Sequence, residues 1–138
     1  YDVIMEEQVD LIVGTSMGGY MAAQMGSQCG VPFVSLNPAI KPSESLQKWV
    51  GTFIDYAGND RCLTELVVAS YPDIVQTGAG LVMVDSGDEV LRAQDTMDLL
   101  ENIFQVEWFT GGNHGFTHME AALPKINTFF KEQTKERQ

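Results

Sequence analysis

Ser16, inside Gly14-Thr15-Ser16-Met17-Gly18-Gly19, is the side chain around which chemistry is most readily built. A serine hydroxyl is a poor nucleophile at ambient pH. It needs an imidazole to take its proton and a carboxylate to orient that imidazole. The sequence holds two histidines, His114 and His118. His114 sits in the glycine-rich loop Gly111-Gly112-Asn113-His114-Gly115, whereas His118 falls in a segment of helical character and reads as a surface or supporting imidazole. Asp85 and Asp88 bracket the turn Asp85-Ser86-Gly87-Asp88. Asp88 is assigned as the orienting acid and Asp85 is its competitor, since an aspartate at a strand terminus often only makes turn hydrogen bonds. The chemistry these types support is acyl transfer, with Ser16 as nucleophile, His114 as general base and Asp88 holding the imidazole.

Such residues act only if the chain brings them to one place. Ahead of the serine, Val9-Asp10-Leu11-Ile12-Val13 is a short apolar, β-branched run that suits a buried strand. Behind it, Ala22, Met25 and Cys29 recur at helical spacing, as do Met21 and Met25, and Gly30 with Pro32 supplies a stop. A strand turning straight into a helix at G-x-S-x-G is the nucleophile elbow of α/β-hydrolases, which lifts the serine above the sheet. Crowding at this turn is the expected reason for Gly14 and Gly18. The helix start exposes free backbone N–H groups, so the N–H of Met17 is the expected oxyanion-hole donor.

The rest of the chain reads as an open parallel sheet flanked by helices. Tyr1 to Gln8 suggests the end of a helix, and Pro32-Phe33-Val34-Ser35-Leu36 a second strand that stops at Asn37-Pro38. Strand, helix and strand in succession imply parallel pairing. Gly80 to Val84 and Val106 to Phe109 read as further strands, separated by a helix bearing Ala93, Met97, Leu100 and Phe104. His114 and Asp88 then follow strand ends, on the rim where open parallel sheets bind ligands. Between residues 41 and 80 the signals weaken. Ser43 is expected to cap a short helix with Leu46, Trp49, Val50 and Phe53, Tyr56 to Asp60 to form a loop, and the interval to make at most a small helical lid. Residues 61–70 are ambiguous between helix and strand. The last helix places Ile126, Phe129 and Phe130 on one face with Pro124 in its first turn, and 131–138 is expected to fray.

Composition narrows the function classes. The 138 residues favour a single domain over 1–138, and 44% hydrophobic content is enough for its own core. With 8 basic against 19 acidic residues the formal charge is -11, which disfavours nucleic acid and anionic membrane partners. A nucleotide-binding domain also fits poorly, because the Gly14 segment matches neither dinucleotide nor P-loop patterns. Two cysteines, Cys29 and Cys62, form neither a disulfide framework nor a metal pattern. With no transmembrane run or secretory leader in the sequence, a cytoplasmic location is the default expectation.

Four segments carry a resemblance: Gly14-Thr15-Ser16-Met17-Gly18-Gly19-Tyr20, Leu36-Asn37-Pro38-Ala39-Ile40, Gly87-Asp88-Glu89-Val90-Leu91, and Gly111-Gly112-Asn113-His114-Gly115-Phe116-Thr117. In this order they resemble the YqiA and YcfP family of small bacterial α/β-hydrolase esterases. The resemblance implies a Ser16, Asp88, His114 triad that hydrolyses carboxylic esters or acyl thioesters, with no cofactor and no metal. Family members begin with a strand ending in a His-Gly loop that gives a second oxyanion N–H, and no segment here corresponds to it. The expectation is therefore a sheet lacking its N-terminal strands, with an exposed edge through which copies could pair into a homo-oligomer. Loss of an oxyanion donor costs a hundredfold or more in rate, by order of magnitude. A second reading is accordingly a non-catalytic hydrolase-like module that binds a ligand or partner through the old site.

Overall fold

The computed structural model describes residues 1–136. In chain order the first elements are α1 (Asp2–Glu6), β1 (Ile12–Thr15), α2 (Met17–Cys29), β2 (Phe33–Leu36) and α3 (Pro42–Ser45). A short 3-10 turn (Gln47–Trp49) leads to β3 (Gly51–Ile54), β4 (Asp60–Leu63) and α4 (Glu65–Ser70). The chain closes with β5 (Gly80–Asp85), α5 (Ala93–Leu100), β6 (Gln105–Phe109) and α6 (Met119–Glu136). They fall into two compact units, Tyr1–Ala39 with Val75–Gln138, and Ile40–Ile74.

The larger unit is the expected α/β architecture. Its four strands run in the order β1-β2-β5-β6, every pair parallel. Alternation along the strands sends successive side chains to opposite faces. Val34, Leu36, Leu81 and Met83 meet Phe116, Ala122 and Phe129 in one core. On the other face Ser35 donates to the Gly19 carbonyl at 2.7 Å, which ties β2 to the first turn of α2. Phe33 fills the remaining space, edge-on to Phe104 with centroids 5.4 Å apart. β1 borders the sheet, and Val13 is 48% exposed there.

Several local expectations change. β1 starts at Ile12, three residues later than the apolar run suggests, because its hydrogen-bonded partner β2 begins only at Phe33. The buried face of α2 is Gly19, Tyr20, Ala22, Ala23 and Gly26, while Met21 is exposed and Met25 and Cys29 are half-buried. Small residues win this face because the helix lies close on the sheet: a Cβ at Gly26 would run into Phe33 and the Val31 carbonyl. Crowding explains Gly14, whose Cβ would collide with the Gly18 carbonyl, but not Gly18, whose own Cβ would meet open space. Pro124 is not in the first turn of the last helix but inside α6, which begins earlier, at Met119. The N–H it lacks would have reached the carbonyl of Glu120 in the helix's first turn, and α6 forms regardless. Residues 131–136 continue that helix instead of fraying, and 137–138 lie outside the described residues.

The smaller unit is not a purely helical insertion. Ser43 caps no helix through Phe53: α3 ends at Ser45, and Gly51, at φ 133, opens a strand. β3 and β4 pair antiparallel, Gly51 opposite Leu63 and Ile54 opposite Asp60. Asp55 builds the intervening turn, its Oδ1 accepting the N–H of Ala57 and of Asn59 at 2.9 Å each. Its Oδ2 takes Arg61 Nε at 2.8 Å, and this guanidinium contact, foremost, holds the carboxyl below the usual carboxylate range. The ambiguous 61–70 stretch divides at Thr64, whose Oγ1 accepts from Val67 N at 3.1 Å and caps α4.

The two elbow glycines are expected to respond oppositely to alanine. Gly14→Ala should lose about 1–3 kcal/mol through backbone overpacking. Gly18→Ala should be neutral or gain up to about 1 kcal/mol from helix propensity. Urea unfolding of both variants checks this, and equal losses would contradict the assignment of crowding to Gly14.

Candidate active site

The site grows from the carboxyl ends of β1, β2, β5 and β6. At the end of β1 the chain reverses within one residue, and Ser16 takes φ 59 and ψ -122 before α2 begins at Met17. A positive φ in a side-chain-bearing residue costs on the order of 1–3 kcal/mol and persists only where its surroundings over-determine it. Here Ser16 N donates to the Leu36 carbonyl at 2.9 Å, while the Ser16 carbonyl accepts Tyr20 N and Ala39 N at 3.1 Å each. The hydroxyl makes no capping bond to α2. It is left for His114, whose Nε2 lies 2.7 Å from Ser16 Oγ across a separation of 98 residues.

The other ring nitrogen fixes the tautomer. His114 Nδ1 is 3.0 Å from both Oδ1 and Oδ2 of Asp88, a group that accepts, so Nδ1 carries the proton. Nε2 of the neutral ring is then the acceptor of the Ser16 O–H. Asp88 is itself held: Oδ1 accepts the N–H of Val90 and of Leu91 at 2.9 Å each. Its side chain is 2% exposed, against 22% for that of His114. Met17 is the first residue of α2, so its N–H has no partner within the helix.

Asp85 does not serve His114. It is fully buried, its Oδ1 pairs with His118 Nδ1 at 2.7 Å, and its Oδ2 accepts Thr117 N at 2.9 Å and Asn113 N at 3.3 Å. His118 is not in a helix but just ahead of α6, stacked on Phe109 with centroids 5.3 Å apart.

Two residues outside the expected set shape the site. Asn37, at the end of β2 with φ 43 and only 2% exposed, accepts Asp85 N at 2.8 Å through Oδ1. Its Nδ2 donates to the carbonyls of Asn113 and His114 at 3.0 and 3.1 Å. One amide thus clips the loop that carries His114 to two strand ends, and the Asn37-Pro38 strand stop is the sequence signal that marks it. Glu89 accepts the His114 N–H at 3.0 Å through Oε2, and nothing in its sequence neighbourhood foretells that.

A family model described as "Uncharacterised protein family (UPF0227)" matches residues 2–131. The chain belongs to UPF0227. A UPF0227 protein of Shewanella sp. strain MR-4 is 28% identical over 125 residues, 90% of this chain and 66% of its own. The UPF0227 protein YcfP of Escherichia coli O9:H4 is 26% identical over 132 residues, 93% of this chain and 70% of its own. The resemblance to YcfP read from the four motifs holds, and the chain spans 66% of the length of the Shewanella relative. Among solved structures, Est1E from Butyrivibrio proteoclasticus superposes with a TM-score of 0.72 over 97% of this chain and 67% of its own, at 15% identity. A monoacylglycerol lipase of Paleococcus ferrophilus gives 0.63 over 94% and 72%, at 14% identity. This UPF0227 chain therefore has the α/β-hydrolase fold. Among its described residues no helix is long and apolar enough to cross a membrane.

Removing the Asn37 amide should leave the buried Asp85 N–H without its partner and take a donor from the part-buried Asn113 and His114 carbonyls, the first of which still accepts Phe116 N. Asn37→Ala and Asn37→Gly are each expected to cost on the order of 1–3 kcal/mol in urea unfolding. The glycine variant tolerates the positive φ, so equal losses assign the effect to the hydrogen bonds. A change below about 0.5 kcal/mol, the range of ordinary surface positions, would contradict it.

Proposed function

We propose that the chain is a serine esterase acting on carboxylic esters or acyl thioesters. The observation that carries this reading is the continuous hydrogen-bond path from Ser16 Oγ through both nitrogens of His114 to Asp88. In the forward step Ser16 Oγ attacks the acyl carbon while its proton passes to His114 Nε2, and Asp88 stabilises the imidazolium that forms. The Met17 N–H faces the tetrahedral oxyanion. His114 returns the proton to the departing alkoxide or thiolate, leaving the acyl group on Ser16. Water then attacks the acyl carbon while giving its proton to the same nitrogen, and the intermediate collapses as His114 returns that proton to Ser16 Oγ, which frees the acid and restores the serine. Every proton transfer uses groups of the chain or of water, so the reaction calls for no cofactor.

Support comes from chemistry and from likeness. The strained Ser16 backbone withholds the hydroxyl from helix capping, and the buried carboxylate faces the ring nitrogen remote from the serine. Two structures that share the fold bear the names of an esterase, that of Pyrococcus furiosus (TM-score 0.60 at 16% identity), and of the monoacylglycerol lipase above. A purely ligand-binding descendant of the fold has no requirement for such a relay.

A fluorophosphonate probe is expected to label Ser16 stoichiometrically, read by intact mass and peptide mapping, and Ser16→Ala should abolish both labelling and turnover of a p-nitrophenyl ester. Asp88→Asn, which offers the ring an amide in place of the carboxylate, should lower kcat by about 10⁴ with the fold intact. Folded protein that neither reacts with the probe nor loses turnover on Ser16→Ala would overturn the esterase reading in favour of the binding module.

A further inference from the structure

The tip of β5 carries a second aspartate–histidine pair beside the first, and the esterase reading gives it no task. Asp85 is fully buried, and a carboxylate in that position is tolerated only when its oxygens are well supplied with donors. The donors are Thr117 N at 2.9 Å, Asn113 N at 3.3 Å, Thr117 Oγ1 at 3.4 Å and His118 Nδ1 at 2.7 Å. All four come from residues 113–118, the segment that contains His114. They grip it on both sides, one bond before His114 and three after. Gly112 completes the fit, since a Cβ there would overlap the Asp85 carboxylate.

The same strand tip sets the acid. Asp88 N donates to the Asp85 carbonyl at 3.1 Å, so one residue anchors the backbone of Asp88 with its main chain and the loop of His114 with its side chain. His118 is the member that can be varied without emptying the carboxylate's backbone contacts. Its ring lies flat on Phe109, at an interplanar angle of 15°, and Nδ1 reaches inward to Asp85 while the side chain stays 30% exposed. The ring therefore bridges the end of β6, the tip of β5 and the entrance to α6, where its own carbonyl accepts Ala122 N at 2.9 Å.

We infer that Asp85 and His118 form a positioning pair, whose hydrogen bond sets the His114 loop so that the His114 ring keeps one tautomer and one orientation between Ser16 and Asp88. The inference rests on the esterase reading for its kinetic consequence but not for its structural one. Neither residue touches the reacting atoms. Misplacing a base by about 1 Å costs up to about a hundredfold in rate, which is the scale available to a residue acting through geometry alone.

The test uses His118→Phe, which keeps the stack on Phe109 and loses the N–H, and His118→Asn, whose amide can occupy the place of Nδ1–H. With two histidines in the chain, each variant leaves His114 as the sole imidazole, and its ¹⁵N–¹H spectrum reports its tautomer without overlap. In His118→Phe the His114 nitrogens should move to averaged values between tautomers, and ester kcat should fall roughly ten- to a hundredfold with KM within about twofold. His118→Asn should restore the fixed Nδ1–H tautomer and most of kcat. Circular dichroism and Tm establish that both variants are folded. A His118→Phe protein with an unchanged His114 tautomer overturns the inference, as does averaging that Asn fails to restore. A parent without turnover removes the esterase reading alone, because the tautomer arm still decides this one.

Discussion

Everything in the larger unit converges on the 2.7 Å contact between Ser16 Oγ and His114 Nε2, a hydrogen bond between residues 98 apart in the chain. A contact that narrow cannot be met by loops alone. It requires strands of fixed register, and the parallel order β1-β2-β5-β6 supplies them by bringing the strand ends that carry Ser16, Asn37, Asp85 and the His114 loop to one rim. The close approach of α2 to the sheet, secured by Gly14, Gly19 and Gly26, then lets the chain turn within a single residue. The strain at Ser16 is opposed by three backbone hydrogen bonds, to Leu36, Tyr20 and Ala39, that use all its main-chain groups.

Polar burial organises the other half of the site. Asn37 and Asp85 are both almost wholly out of solvent: the Asn37 amide is spent on Asp85 N and the carbonyls of Asn113 and His114, and the Asp85 carboxylate on the N–H groups of Asn113 and Thr117 and on the His118 ring. Among the described residues no buried side-chain polar atom lacks a partner. In a low-dielectric interior such bonds are costly to lose one at a time, so the loop has a single favourable arrangement. His114 itself remains partly open to solvent, which suits the role of base proposed for it.

Much of this was legible in the residues because it is written locally. The turn between an apolar run and a helical period marks Ser16, glycine-rich loops after strands mark His114 and the turn to Asp88, and β-branched runs mark the sheet. What was not legible depends on contacts between distant segments. The buried face of α2 follows from how near β2 lies, so Met21 and Met25 gave way to Gly19, Ala23 and Gly26. The hairpin of residues 51–63 turns on Asp55 and its partners Ala57, Asn59 and Arg61, which no period of apolar residues announces. The division of labour between Asp85 and Asp88 is likewise non-local: each sits near the end of the same strand, and only the path of the 111–118 loop decides which histidine each one meets.

Membership in UPF0227 and superposition on Est1E and on the Paleococcus lipase give the fold, and the convergence at the rim gives that fold a chemical reading. Its central claim is that the Ser16 hydroxyl, activated by His114, takes the acyl group. Acid-quenching the protein during turnover of a p-nitrophenyl ester, followed by peptide mass mapping, observes that bond directly. The acyl mass is expected on the peptide containing Ser16, and an acyl group found on another residue while Ser16 stays unmodified would contradict acylation of that hydroxyl.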